Sequence, residues 1–285
     1  MKIGVVYPQT ELGGDPQAVR SIGTEVEALG FDHLLAYDHV LGAVHADRER
    51  PRVGPYTEDD PFHDPLVMFA YLAGLTSRIE LVTGVLVLPQ RQTALVARQA
   101  ADLDLLSGGR LRLGVGVGWN YVEYEALGQD FGVRGRRQEE QIELLRRLWT
   151  DPVVAFDGRH DRVDRAGLAP RPTRSIPIWM GGFGQVAFAR AARCADGFIF
   201  SGRSGDAAEP LDRVRRLLDE QGRSPDEFGA ERIVSAHGGH GEVARQIEAW
   251  GSAGGTHVAI STMGMGLDTA DAHLDVLASV AADLG

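Results

Sequence analysis

The 285-residue chain contains one cysteine, one asparagine and, among its 29 basic residues, one lysine. The lone cysteine, Cys194, excludes an intramolecular disulfide and fits a reducing compartment. It lies in "RAARCAD", with no histidine or acid pattern to activate a thiolate, and reads as a structural thiol. No apolar run reaches the roughly 18–20 residues that a membrane span requires. The run in "MKIGVVYPQ" is too short for the core of a secretory signal. A cytoplasmic protein with no membrane partner is therefore expected. Excess positive charge is absent as well: the formal net charge of −11 argues against nucleic acid, whose phosphates select basic surfaces. There is no G-x-S-x-G elbow, Walker loop or H-E-x-x-H helix.

What the chain does have is an unbroken alternation of strand and helix patterns. "KIGVVYP", "HLLAY", "IELVTGVLVLP", "RLRLGVGVG", "IPIWMGG", "DGFIFSG", "RIVSAHG" and "THVAIST" are short apolar runs of the kind that form strands buried on both faces. Asp15-Pro16 and Asp64-Pro65 supply an N-cap and a first-turn proline, and Gly30, Gly108-Gly109 and Gly222 stand where helices should end. Helical spacing predicts further helices over Thr93–Ser107 and Arg134–Trp149. Eight β/α units of about 35 residues match the length of a (β/α)8 TIM barrel, and with no linker in sight residues 1–285 read as one domain. Two segments exceed ordinary loop length. Leu41–His63 follows the second strand and belongs on the carboxyl-terminal face. Asp151–Arg174 precedes the fifth strand and belongs on the opposite rim, unless it folds back over the barrel as an extra hairpin.

In such a barrel the chemistry sits at the carboxyl ends of the strands. The candidates there are Tyr7 and Gln9, Asp38 and His39, Thr83 and Gly84, Trp119 and Asn120, Gly181 to Gly184, Ser201-Gly202, His237 and His240, and Thr262. Asp38-His39 is the acid–imidazole pair, able to give or take a proton near neutral pH. "WMGGFGQ" ahead of a helix offers free N–H groups for an anion, although a tight turn would also call for those glycines. "HGGH" lacks a third ligand and reads as a loop. The glycines of "LRLGVGVGWN" fail the dinucleotide pattern, because Trp119 stands where a third glycine is needed. Small residues there would let a flat ligand approach the backbone.

"ALGFDHLLAYDHV", "VTGVLVLPQRQTALVARQAADLDLLSGGRLRLGVGVGWNYVEYEALG", "RGRRQEEQIELLRRLW" and "PIWMGGFGQVAFARAARCADGFIF" together resemble the luciferase-like monooxygenase superfamily, and within it the oxidoreductases dependent on the deazaflavin coenzyme F420. The resemblance implies a cofactor ring at the barrel mouth, backed by a non-prolyl cis peptide at Gly84-Val85 beside Thr83. It implies Asp38 near that ring, with His39 as the catalytic proton donor or acceptor. Trp119 and Asn120 would contact the cofactor, and Gly181, Gly182, Phe183 and Gly184 would hold its phosphate. It also implies hydride transfer to or from a small organic substrate, in a homodimer. Relatives that oxidise sugar phosphates carry a carboxylate in the fourth-strand motif where this chain has Val117, so their substrate does not carry over. An FMN-dependent monooxygenase on the same fold is the alternative, and a non-catalytic flavin- or deazaflavin-binding barrel is a third.

Overall fold

Asp15 and Asp64 each stand one residue before a proline, and each caps a helix in the computed structural model, which describes residues 1–49, 54–201 and 208–284. Asp15 accepts from the Gln17 N–H at 2.9 Å to open α1 (Pro16–Ala28). Asp64 accepts from the Leu66 and Val67 N–H groups at 2.9 and 3.1 Å to open α2 (Pro65–Ala73). Each proline occupies a first-turn position whose N–H would have had no helical partner. The other long helices run where apolar spacing places them: α3 (Thr93–Leu106), α5 (Arg134–Thr150), α6 (Gly184–Cys194), α7 (Ala208–Glu220), α8 (His240–Ser252) and α9 (Ala270–Leu284). A short helix, α4 (Tyr121–Ala126), has no counterpart in the periodicity.

The barrel strands are β1 (Lys2–Val6), β2 (His33–Ala36), β3 (Glu80–Thr83), β4 (Leu86–Val87), β5 (Leu111–Gly116), β8 (Ile178–Gly181), β9 (Gly197–Phe200), β10 (Gly229–Ser235) and β11 (His257–Ser261). They pair in parallel in the order β3-β2-β1-β11-β10-β9-β8-β5, and β3 returns to β5 through Leu81↔Leu111 and Val82↔Arg112. That last pairing closes an eight-stranded parallel barrel. The third strand, expected to be continuous, breaks at Gly84-Val85 and resumes as β4, which pairs only with β5. Side chains alternate across the wall. Val5, Leu34, Leu81 and Ile178 pack outward against the helices, while Val6, Leu35, Val82, Trp179, Ile199 and Ala259 fill the interior.

The segment before the fifth barrel strand forms a hairpin, β6 (Val154–Asp157) antiparallel to β7 (Arg162–Ala166), but not one folded over the barrel. It lies back along α5. The Glu140 carboxylate accepts from the N–H groups of Arg159, His160 and Asp161 at 2.7–2.8 Å, and Arg147 donates to Ala155 O at 3.0 Å. Among the described residues no helix is long and apolar enough to cross a membrane.

The floor of the barrel is polar. Glu231, fully buried, binds Arg112 at 2.7 Å and His33 at 2.5 Å, and Arg112 reaches Glu80 at 3.0 Å while stacking 4.2 Å from the Trp179 ring. Charges this deep persist only because they are paired. Against its burial, Arg112 and then His33 hold the Glu231 carboxyl down at about 2. Burial, followed by the repulsion of Arg112, holds the nearby His257 imidazole down at about 3.

Both groups bind protons more readily in the unfolded chain, so both remove stability as the pH falls. His257 acts between its ordinary 6.5 and about 3, and Glu231 between 4.5 and about 2. Replacing His257 by Gln is expected to flatten the stability profile between pH 6.5 and about 5.5, above the range in which Glu231 titrates. The slope removed there is at most that of one proton, about 1.4 kcal/mol per pH unit. Calorimetry of both proteins across that range reads it, and equal slopes would contradict the assignment.

Candidate active site

The break in the third strand lets one side chain, Val85, project over the interior. The Gly84-Val85 peptide is cis, as the family resemblance implies. The room for this turn comes from glycines on the neighbouring strands. A Cβ on Gly116 would lie 2.3 Å from Val85 Cγ2, and one on Gly181 would lie 2.8 Å from Val85 Cγ1. A Cβ on Gly114 would lie 1.9 Å from the Thr83 carbonyl oxygen. The glycines of "LRLGVGVGWN" therefore serve first to admit the displaced third strand. Gly116 and Gly118 also line the space above it, but Gly114 lies against backbone and offers no wall to a ligand.

That space is a cavity of about 570 Å³ at the carboxyl ends of the strands. Tyr37, Val85, Gly116 to Trp119, Ile199 and Ile233 form its apolar part. Gln9 fixes Tyr37 by accepting from its N–H at 2.6 Å and donating to its carbonyl at 3.1 Å. The far end is built differently. Gly181, Gly182 and Phe183 lead into α6, whose first turn has no side-chain cap, and Arg134 and Arg190 line the same end. Gly182 and Gly184 adopt φ of 150° and 77°, a region that favours glycine. Arg190 is held by Glu139 at 2.9 Å, and Arg134 stacks 3.8 Å from the Phe131 ring. Two buried polar atoms of the lining, Arg134 Nε and Ser201 Oγ, have no partner among the described residues. An uncapped helix start beside two guanidinium groups offers donors of the kind an anion takes. Both arginines escaped the sequence reading, because helical position alone does not show which long side chain bends toward a strand end.

The predicted acid–imidazole pair splits between two environments. Asp38 does not line the cavity. It accepts from the Val87 N–H at 2.8 Å and from Arg91 at 2.7 Å, and Arg91 continues to Asp64 at 2.9 Å. Burial pushes the Asp38 carboxyl up, against the opposing pull of Arg91 and the Val87 N–H. Asp38 thus ties β4 to the cap of α2. His39 sits in a ring of aromatic edges, with centroids of Tyr56, Phe62 and Trp119 at 5.2, 4.9 and 5.1 Å. Tyr56 and Phe62 come from the long segment after β2, whose described residues lie on this face as its position predicted, residues 50–53 lying outside them, and Trp119 connects the cluster to the cavity. His39 Nδ1 lies 3.0 Å from Glu123 Oε1, and the Val40 and Leu41 N–H groups donate to the same oxygen at 2.9 and 3.1 Å.

Asn120, expected to contact a cofactor, has both ends of its amide engaged within the protein. Its oxygen accepts from the Val122 N–H at 3.2 Å as the cap of α4, and its nitrogen donates to Leu41 O at 3.0 Å. Thr83, also expected on the cofactor, is buried with its hydroxyl donating to Gly114 O at 2.6 Å. The structure brings Gly84, Val85, Trp119, Gly181, Gly182 and Phe183 to the cavity wall, with Gly184 as the first residue of α6. Gly202 lies outside the described residues. His237 is bound to Ser235 and to Gly264 O, while His240 faces Asp283, so the two do not converge. Cys194 donates to Arg190 O, and burial pushes its thiol up to about 11, consistent with a structural role.

Comparison with known proteins adds the family. Residues 1–250 match the model of the luciferase-like monooxygenase family. The chain belongs to that family. Within it, an uncharacterized protein of Mycobacterium tuberculosis is 36% identical over 207 residues, 70% of either chain. An F420-dependent glucose-6-phosphate dehydrogenase of Amycolatopsis mediterranei is 29% identical over 209 residues, 72% of this chain and 59% of that protein. An FMNH2-dependent dimethylsulfone monooxygenase of Pseudomonas fluorescens is 29% identical over 188 residues, 65% of this chain and 48% of that protein. The coenzyme F420-dependent tetrahydromethanopterin reductase of Methanopyrus kandleri superposes with a TM-score of 0.77 over 100% of this chain and 99% of that one, at 17% identity, and so shares the fold.

Two substitutions separate the glycine roles. In Gly116→Ala the new methyl meets a side chain that can shift, and overpacking of that kind costs about 1–3 kcal/mol. In Gly114→Ala it meets a backbone carbonyl that cannot, so the loss should be larger. Urea unfolding of the two variants reads the order, and a Gly114 variant as stable as the parent would refute the packing described.

Proposed function

We propose that this protein is an oxidoreductase that uses coenzyme F420 to transfer hydride to or from a small organic substrate. The observation that carries the reading is the two-ended cavity: an apolar part around Val85 and Trp119, and an anion site formed by the α6 start, Arg134 and Arg190. A flat ring with a phosphorylated tail needs both. Val85, Gly116, Trp119 and Tyr37 would flank the ring, and Gly181 to Gly184 with Arg134 and Arg190 would take the tail. Arg134 Nε and Ser201 Oγ, which have no partner among the described residues, are polar atoms that such a ligand would satisfy.

When bound, a deazaflavin ring accepts or releases a hydride. The chain's own residues supply the rest. His39, shielded from water by Tyr56, Phe62 and Trp119, gives or takes the companion proton. Asp38, assigned to the same site, acts from behind the wall by holding the Val87 N–H two residues from Val85. Asn120 acts at the same remove, by holding Leu41.

A second reading has one specific support: an FMNH2-dependent relative is as similar to this chain as an F420-dependent one, each at 29% identity. The anion site would also accept the phosphate of FMN. Titration of the purified protein with each cofactor, followed by fluorescence, decides between them. Coenzyme F420 is expected to bind with the higher affinity, and Arg190→Ala to weaken it by about tenfold or more, as the loss of a charge-assisted contact does. Binding of FMN without binding of F420 would overturn the proposal.

A further inference from the structure

The contact between His39 and Glu123 settles a question about which imidazole nitrogen can work. Glu123 is one of the most deeply buried carboxylates of the chain, with 1% of its side chain exposed, and a single oxygen, Oε1, gathers three groups. Two of them, the Val40 and Leu41 N–H groups, can only donate. Oε1 is thereby fixed as an acceptor, so the third partner, His39 Nδ1 at 3.0 Å, must carry its proton on that nitrogen. In the neutral ring the other nitrogen, Nε2, then holds the free lone pair.

We propose that Glu123 is a positioning residue that sets the His39 tautomer and makes Nε2 the nitrogen that exchanges protons with substrate. The proposal rests on the proton role given to His39 above. In the oxidation direction, a substrate O–H or N–H bond breaks as a bond forms between that proton and Nε2. Nδ1–H stays on Glu123 throughout, and the carboxylate faces the imidazolium so produced. The companion hydride is the part already assigned to the deazaflavin, and reduction runs the same proton back.

The sequence holds a trace of this arrangement, disguised as something else. Asn120 and Glu123 have the N-cap-to-N3 spacing of a capping box, in which the acid would return to the N-cap N–H. Here Asn120 does cap α4, but Glu123 leaves the helix for the strand-end segment at 39–41, and Asn120 holds the same segment through Leu41 O. The pair therefore fixes the ring's backbone as well as its tautomer. The Tyr56, Phe62 and Trp119 edges restrict the remaining freedom of the ring.

The test reads the tautomer directly and needs no substrate. The full-length protein, labelled with 15N-histidine, is examined at pH 8 by long-range proton–nitrogen correlation. His39→Gln identifies the His39 signals among the nine imidazoles. The parent protein is expected to show Nδ1 protonated and Nε2 bare. Glu123→Gln keeps an acceptor oxygen and should retain that pattern, whereas Glu123→Ala removes it and should shift His39 toward the Nε2–H form. An Nε2–H tautomer in the parent overturns the proposal even if the alanine variant does not fold, and so does an Nδ1–H pattern that survives in a folded Glu123→Ala protein. Failure of F420 to bind would count against the proposed function and leave this tautomer result standing.

Discussion

Val85 occupies the space that side chains on Gly116 and Gly181 would otherwise take, and the architecture of the site depends on that exchange. The third strand leaves the sheet at Gly84, its carbonyl neighbour Thr83 O lies against Gly114, and β4 rejoins β5 two residues later. Without glycine at 114 the strand could not turn inward, and a methyl at 116 would displace Val85, the apolar projection at the cavity's centre. Close packing makes such an arrangement all or nothing, because a methyl group in the wrong place cannot be absorbed by a backbone carbonyl.

Around this turn, the polar residues at the mouth work mainly as ties. Gln9 holds Tyr37, Asp38 holds the Val87 N–H and Arg91, and Glu123 with Asn120 holds residues 39–41. Each spends its hydrogen-bonding capacity on backbone or on another charge, and so leaves the wall apolar. The polar groups left over lie in two places: Arg134 and Arg190 beside the start of α6, and the imidazole of His39, enclosed by aromatic rings behind Trp119. A ligand with a ring between a charged tail and a reacting edge fits that division.

Features set by neighbouring residues were legible in the sequence. The Asp-Pro helix starts read correctly because capping involves residues two and three apart. The eight barrel strands were legible because their runs are mainly apolar, whereas the break of the third at Gly84-Val85 and the pairing of His33, Arg112 and Glu231 beneath them were not. The family resemblance pointed to the cis bond at Gly84-Val85, which "VTGVLV" alone does not reveal. Features set by distant partners were not legible. Glu123 meets His39 across 84 residues of sequence and Arg190 meets Glu139 across 51, and no local spacing encodes either contact. The family resemblance pointed to Asn120 as a cofactor contact, and sequence alone gave no sign that both ends of its amide are engaged by Leu41 O and the Val122 N–H. The Asp151–Arg174 segment left two placements open, and the three N–H groups collected by Glu140 show why it folds back on α5.

On the proposed function, the strand turn at Val85 and the arginine-flanked start of α6 form one binding site for a ring and its phosphorylated tail. A crystal structure of the protein with coenzyme F420 tests it most directly. The ring is expected against Val85 and Trp119, with the tail phosphate on the Gly182–Gly184 backbone between Arg134 and Arg190. A ring seated elsewhere, or a tail that leaves both arginines unengaged, would contradict the account.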